Sequence, residues 1–493
     1  MNLIKYTFFY NYLYIFQSEE YIPKRLLKDV LHNPFPVNIE KVKQLKWTHK
    51  AKWIAISAFL IFVLGLAIII LINLSIFYLL FYIGVFIFAP WIFLIMASYT
   101  KKPLEMINKK RVISISNKKV NLLKKHGLKV IGITGSYGKT STKVFTEQLL
   151  SLKYKSYATP KSYNTLWGIA QPVQKGGVFD TVKTTLTHLP PDLKYFLVEM
   201  GAYKKGEIEM LCSAFPPDLV ILTGISSVHL ERFKHIDNIV KAKSEILFGV
   251  KSGGTAIINA DNKYTRRIIK NMPRKDITII TYGTQKNATY RVEIKKMSKE
   301  GTSFTVHFEK QQYEMSTPII GVGNIVNITG AIATAHSQKC SWKQIVEGVN
   351  QIVSAENRME IVDTESGYLI INNGYSSNIP SFKQSLETLS LFDTSYKVLV
   401  TPGIFELGKD TYKVHKKLGS KITEEIDLVV LVQNKKSREQ IDGLRDGMAK
   451  SSYPTERIVE VKRIEQFHEH VMKRELFPSV VVFENDVPDV YNI

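Results

Sequence analysis

The sequence predicts an α/β protein. A phosphate-loop central domain with a mainly parallel sheet is followed by a Rossmann-like C-terminal α/β domain, and a two-helix transmembrane hairpin precedes both. Three observations predict this. Apolar strand-sized runs alternate with helix-sized segments from Lys129 onward. A glycine-rich turn near 135–138 joins one such run to a helix. Finally, the 47 residues from Trp53 to Tyr99 contain no charge.

Residues 1–52 are expected to form a cytoplasmic or interfacial segment. Its aromatic stretch (Phe8, Phe9, Tyr10, Tyr12, Tyr14, Phe16) is too short to span a bilayer and suits the interface or the hairpin's flank. The uncharged run, 53–99, is twice the length that one spanning helix needs, about 20 residues. Asn73, Leu74 and Ser75 interrupt it, so helices over about 53–72 and 76–98 are expected. Lys46, Lys50 and Lys52 precede the run, and Lys101 and Lys102 follow it. Positive residues stay cytoplasmic, which predicts a multi-pass protein of the cytoplasmic membrane with its soluble domains in the cytoplasm. The basic linker at 100–127 (Lys109, Lys110, Arg111, Lys118, Lys119, Lys124, Lys125) suits anionic lipid headgroups or a solvated helix equally.

The 493-residue chain carries a formal net charge of +22. That excess fits a lysine-rich solvated surface, or attraction to anionic lipid or phosphate-bearing substrates. Zinc-finger spacing and aromatic RNA-binding motifs are missing, so no nucleic-acid partner is expected. Two distant cysteines, Cys212 and Cys340, make neither a disulfide framework nor a metal clip, and suit a reducing compartment.

Within 128–353, strands are expected at Val130–Thr134, Tyr195–Met200, Asp218–Thr223 and Thr255–Asn259. Helices are expected at Lys139–Leu150, Gly206–Ala214 and Asp237–Gly249. Polar–apolar alternation (Tyr290, Val292, Ile294; Phe304, Val306, Phe308) predicts a small antiparallel section between 277 and 315. A second α/β pattern fills 354–493, with strands at Leu369–Ile371, Val398–Thr401, Leu428–Val432 and Val480–Phe483.

The chemistry concentrates at 131–142, Ile-Gly-Ile-Thr-Gly-Ser-Tyr-Gly-Lys-Thr-Ser-Thr. Gly135 and Gly138 let successive backbone N–H groups curl toward an anion, and the helix that follows favours phosphate at its N-terminus. Lys139 adds a point charge, and Thr140 offers a hydroxyl to Mg²⁺. The spacing is not the strict phosphate-loop pattern, because Ile133 stands where the first glycine belongs. Glu199 ends a strand, where a carboxylate reaches the ligand crevice and can hold Mg²⁺. His229 follows the next strand after a short loop, and Lys243 lies on the following helix. Alone, those two would be ordinary surface or core residues more often than ligands.

As an ordered set, the motifs resemble the Mur ligase family, closest to its D-alanyl-D-alanine-adding branch. They run Thr134–Thr140, then Glu199-Met200-Gly201-Ala202 with Gly206-Glu207-Ile208, then His229-Leu230-Glu231 with Ala242-Lys243-Ser244-Glu245. Asn259-Ala260-Asp261, Gly323-Asn324-Ile325-Val326-Asn327 and Asn357-Arg358-Met359-Glu360 follow. Thr401-Pro402-Gly403, Glu406-Leu407-Gly408 and His415 complete the series. The resemblance implies an ATP-dependent amide ligase of peptidoglycan precursor synthesis. It would activate a carboxylate as an acyl phosphate for attack by an amino acid or a dipeptide such as D-Ala-D-Ala. Gly135, Ser136, Tyr137, Gly138, Lys139, Thr140 and Ser141 would then cradle ATP, with Asn324 and Arg358 reaching the nucleotide. Thr140 and Glu199 would hold one Mg²⁺, and His229 would serve a second. Lys243 matches a family lysine that is often carbamylated, so it counts with Lys139, Glu199 and His229 as catalytic and as a metal ligand. Asn164 and Thr165 would lie near the substrate.

The chain departs from the family at several points. Gly323 replaces a common histidine, Asn372-Asn373 stands where an acidic pair is usual, and Glu484-Asn485-Asp486 stands where Lys-Gly-Ser is common. Residues 1–127 carry the hairpin in place of a uridine-nucleotide-binding domain. A lipid-linked or other cell-envelope substrate therefore stays open as an alternative, as does a non-catalytic ATP-binding scaffold at the membrane.

Overall fold

A strand whose successive residues are all apolar needs cover on both faces. The structure, a computed structural model, describes residues 8–19, 21–32, 34, 45–170, 192–227, 230–363, 368–375, 377–392, 396–433, 437–474 and 478–485. The chain divides into two compact units, residues 1–111 and residues 112–486.

In the second unit, one sheet holds β1 (Lys129–Thr134), β2 (Ser156–Ala158), β3 (Tyr195–Glu199), β4 (Leu219–Leu222), β5 (Thr255–Asn259), β6 (Thr278–Gly283), β7 (Tyr290–Ser298), β8 (Gly301–Phe308) and β9 (Gln311–Thr317). Their order is β2-β3-β1-β4-β5-β6-β7-β8-β9. Pairing is parallel as far as β7 and antiparallel from β7 to β9. Successive strand residues enter opposite cores. Val130, Phe196, Val198 and Val220 share one core with helices Glu207–Ala214 and Ile236–Gly249. Ile131, Ile133, Leu197 and Ile221 share the other with helices Lys139–Ser151 and Val322–Ser337. β1 lies between β3 and β4, with β2 beyond β3. The strand order therefore reverses beside β1, and at such a switch point the carboxyl ends of the strands form a ligand crevice.

The second sheet holds β10 (Glu360–Asp363), β11 (Tyr368–Asn373), β12 (Tyr396–Thr401), β13 (Leu428–Val432), β14 (Ile458–Val461) and β15 (Ser479–Glu484), in the order β10-β11-β15-β12-β13-β14. Only the β10–β11 pair is antiparallel.

The first unit packs short helices around Leu13, Phe16, Leu26, Ile54, Phe93 and Leu94. Among the described residues, helix His49–Leu71 is long and apolar enough by itself to cross a membrane. The expected second helix over 76–98 is not continuous. It breaks into Ile76–Phe88 and Trp91–Thr100. Pro90 lacks an N–H to continue the ladder, and its ring crowds the preceding turn. Ile76–Phe88 and the helical stretch from Trp91 together are long and apolar enough for a broken span or a re-entrant loop, bent by 83° at the break.

The expected linker also differs. Helix Lys102–Lys125 buries Val112, Ser116 and Val120, and Val112 and Val120 join the central core. Lys124 pairs with Asp218 at 2.7 Å, and the Asn117 amide donates to the Ser213 carbonyl at 2.7 Å.

Candidate functional site

β1 ends at Thr134, and the chain turns through residues 135–138 into helix Lys139–Ser151. Gly138 has φ +75°, and a Cβ there would lie 2.6 Å from the Asn327 Oδ1, so only glycine fits. The loop is pinned on its outer side. The Ser136 N–H donates to the Gly224 carbonyl at 2.6 Å, and the Thr223 hydroxyl donates to the Tyr137 carbonyl. The Tyr137 hydroxyl accepts from the Asn262 amide at 3.2 Å. Ser141 is buried in the first turn of the helix. The Lys139 ammonium curls back onto the Gly135 carbonyl at 3.0 Å.

Glu199, 1% exposed, is the hub. Its Oε2 accepts from the Thr140 hydroxyl at 2.9 Å and from the Lys143 ammonium at 3.3 Å. Its Oε1 accepts from the Asn164 amide at 3.2 Å. Gly201 lets Asn164 approach, because a Cβ at 201 would meet the Asn164 side chain at 2.7 Å. A small cavity opens between Gly135, Ser136, Lys139, Asn164, Gly201 and Lys243. The Lys243 ammonium reaches the Ala202 carbonyl at 3.4 Å. Burial, then the nearby Lys139 charge, lower its pKa to about 7. Burial also lowers Lys139, with Arg358 adding to the effect and Glu199 opposing it.

Arg358 comes from the second sheet's side of the unit, between two left-handed residues, Asn357 (φ +58°) and Met359 (φ +54°). Its guanidinium lies 4.4 Å from the Tyr375 ring centroid, and burial lowers its pKa while the Glu199 charge opposes the shift. The structure thus gathers Lys139, Thr140, Asn164, Glu199, Lys243 and Arg358 around one crevice. His229 lies outside the described residues. Asn324 donates to the Ile320 carbonyl at 3.0 Å, on its own helix end, while Asn327, one turn on, faces Gly138. The Thr165 hydroxyl accepts from the Gly168 N–H at 3.2 Å and so caps helix Leu166–Ala170. Lys143 carried no signal in the sequence, since a lysine on an amphipathic helix is commonplace; Asn327 belongs to the asparagine motif, but Asn324 was the residue expected at the nucleotide.

The pair that replaces the usual acidic residues has its own setting. The Asn373 amide donates to Glu484 Oε2 at 2.7 Å and to the Ser381 hydroxyl at 2.8 Å. Ser377, Ser381 and Ser385 also donate to the Glu484 carboxylate. An aspartate at 373 would face Glu484 charge to charge.

Fold and loop together define a phosphate-loop α/β protein with a second α/β domain behind it. Residues 133–335 match the Mur ligase middle domain, and residues 357–483 match the Mur ligase, glutamate ligase domain. The two matches together cover well over half of the chain, which belongs to the Mur ligase family. A UDP-N-acetylmuramoyl-tripeptide–D-alanyl-D-alanine ligase of Buchnera aphidicola is 30% identical over 60% of this chain and 62% of its own. The enzyme of that name from Bacillus subtilis is 29% identical over 62% of this chain and 63% of its own. The chain thus spans about three fifths of the length of these relatives. MurF from Acinetobacter baumannii superposes with a TM-score of 0.64 at 23% identity, covering 76% of this chain and 77% of that one. MurF from Thermotoga maritima, solved in complex with ADP, gives 0.63 at 20% identity, covering 78% and 81%.

Proposed function

We propose that this chain is an ATP-dependent amide ligase that joins a D-alanyl-D-alanine dipeptide to a UDP-linked muramoyl-tripeptide. One observation carries the nucleotide half of this reading. Lys143 pairs with Glu199 at 3.3 Å, and Lys139 and Lys243 line the small cavity beside the loop. So much positive charge in a partly dry crevice calls for a polyanion, and a triphosphate supplies one. The relatives' names carry the substrate half.

In this reading the N–H groups of Gly135–Thr140 and the Lys139 ammonium hold the phosphates. Thr140 and Glu199 fit Mg²⁺. They are hard oxygen donors 2.9 Å apart, and a cation of this type takes one or two carboxylates and completes its shell with phosphate and water. When bound, it neutralises charge that develops on the transferred phosphoryl group. Arg358, just before β10, brings a charge that would face the phosphates. A Lys243 amine with its pKa near 7 is about half unprotonated at pH 7, the form that would take up CO₂ as a carbamate.

The helix His49–Leu71 favours placement at the cytoplasmic membrane, with the catalytic unit in the cytoplasm. The same helix keeps a lipid-linked carboxylate as a second reading. Incubation with ATP, Mg²⁺, D-Ala-D-Ala and either UDP-linked or lipid-linked precursor, followed by mass spectrometry, separates the two. A dipeptide-extended UDP product is expected. No ADP release with any precursor would sink both readings and leave the membrane-tethered scaffold.

A further inference from the structure

Lys143 lies one helical turn past Lys139, and its side chain is 1% exposed. A helix lysine ordinarily points to water, and burying its ammonium is costly unless each proton finds an acceptor. Here three acceptors surround it: Glu199 Oε2 at 3.3 Å, the Thr159 carbonyl at 2.6 Å and the Lys161 carbonyl. Glu199 ends β3, and the two carbonyls belong to the turn 159–164. Glu199 also takes the Thr140 hydroxyl. The turn 159–164 brings the Ser162 hydroxyl to 3.4 Å from Thr140 and the Asn164 amide to 3.2 Å from Glu199. Lys161 sits at φ +45°, a conformation that side-chain-bearing residues adopt only when held.

We propose that Lys143 is a positioning residue: it fixes the plane of the Glu199 carboxylate and fastens the turn 159–164, so that Thr140, Asn164 and Glu199 present a preformed cation site. A glutamate's terminal torsion is broad, and the two neutral donors, Thr140 on Oε2 and Asn164 on Oε1, hold it less firmly than they do with the charged bond from Lys143 added. Thr140 and Lys143 donate to Oε2 and Asn164 donates to Oε1, so both oxygens are held and Asn164 lines the cavity. The inference rests on the assignment of Thr140 and Glu199 to Mg²⁺. Removing a cation beside Glu199 would by itself strengthen attraction for another cation. A carboxylate left buried without its counter-ion, its plane held by neutral donors alone, is nonetheless the poorer ligand, so the sign of the change is decisive.

The test is calorimetric titration of the full-length chain with ADP, with and without Mg²⁺, together with amide hydrogen exchange. Lys143→Met is expected to raise the Mg²⁺ concentration needed for tight ADP binding about tenfold, the usual scale for groups that orient a ligand. It should also speed exchange across 159–165 while β4 and β5 keep their protection. In a Glu199→Gln background the same substitution should add less than about twofold, because Lys143 acts through that carboxylate. Lys143→Gln, which keeps a polar head, should recover part of the effect and serves if the methionine variant does not fold. Unchanged or lower Mg²⁺ demand, full additivity with Glu199→Gln, or unaltered exchange at 159–165 overturns the proposal. Wild-type protein that binds ADP without regard to Mg²⁺ instead overturns the assignment of the cation site, and the proposal with it.

Discussion

Two carboxylates end parallel strands in this molecule, and they live opposite lives. Glu199 closes β3 and faces lysines and an arginine, whereas Glu484 closes β15 and faces hydroxyls and an amide. Neither is more than 1% exposed. The first crevice carries surplus positive charge. The second cluster satisfies its carboxylate internally, tying Asn373 and the helix Ile379–Leu389 to the end of β15. The end of a parallel strand is therefore a place for chemistry, but the partners of the carboxylate decide whether it binds or braces.

That contrast can be broken from either side. Lys139→Ala should remove the largest effect: ligase turnover is expected to fall about 10²–10³-fold, the scale for losing one charge-stabilising donor. ATP-dependent ADP release measures it, and a melting curve close to wild type would show that the loss is not one of folding. Glu484→Ala should do the converse. It strands the Asn373 amide and three serine hydroxyls, costing about 3 kcal/mol by urea unfolding while any residual ADP binding stays near wild type.

Asn373→Asp is a finer probe. It sets two carboxylates face to face and should cost about 2 kcal/mol at pH 7, less at pH 5 where the pair can share a proton. The wild-type cluster predicts a related pH dependence. Burial, outweighing the four hydrogen bonds, raises the Glu484 pKa. A raised carboxyl pKa means that the native state holds the proton more tightly, so its contribution is full below the ordinary carboxylate pKa of about 4.3 and is lost as pH rises through the folded value. Glu484→Gln should flatten that fall.

Lys243 behaves with the opposite sign. Its pKa is depressed to about 7, so between pH 7 and about 10.4 the unfolded chain binds a proton that the native state does not. Stability should rise across that window and flatten in Lys243→Met, as chemical unfolding at several pH values would show. The smallest effect belongs to Arg232→Ala. Its 3.5 Å pair with Glu406 is partly exposed, and no more than about 1 kcal/mol is expected in thermal unfolding.

Much of this was legible in the chain. Uninterrupted apolar runs announced β1, β3, β4, β5, β13 and β15, because strands covered on both faces cannot afford polar residues. β2, β10 and β14 were not legible: at three or four residues, with serine, glutamate or aspartate among them, they resemble loops and are held by their neighbours. The loop lysine, Thr140, Glu199 and Lys243 could be read because their motifs are ordered along the sequence. Lys143 could not, since its role depends on carbonyls at 159 and 161 that only folding brings near. Pro90 lay in plain view inside an apolar run, and its break was predictable from the ring alone.

Asp218 accepts from Lys124 at 2.7 Å, from Lys251 at 2.7 Å and from the Val130 N–H at 2.8 Å. One side chain thus rivets the tail of helix Lys102–Lys125 to the root of β1. A chain cut at residue 128, where the catalytic fold nominally starts, would lose Val112 and Val120 from the core and one arm of that rivet. Tension on the helix, in turn, would be delivered to the strand that carries the phosphate loop.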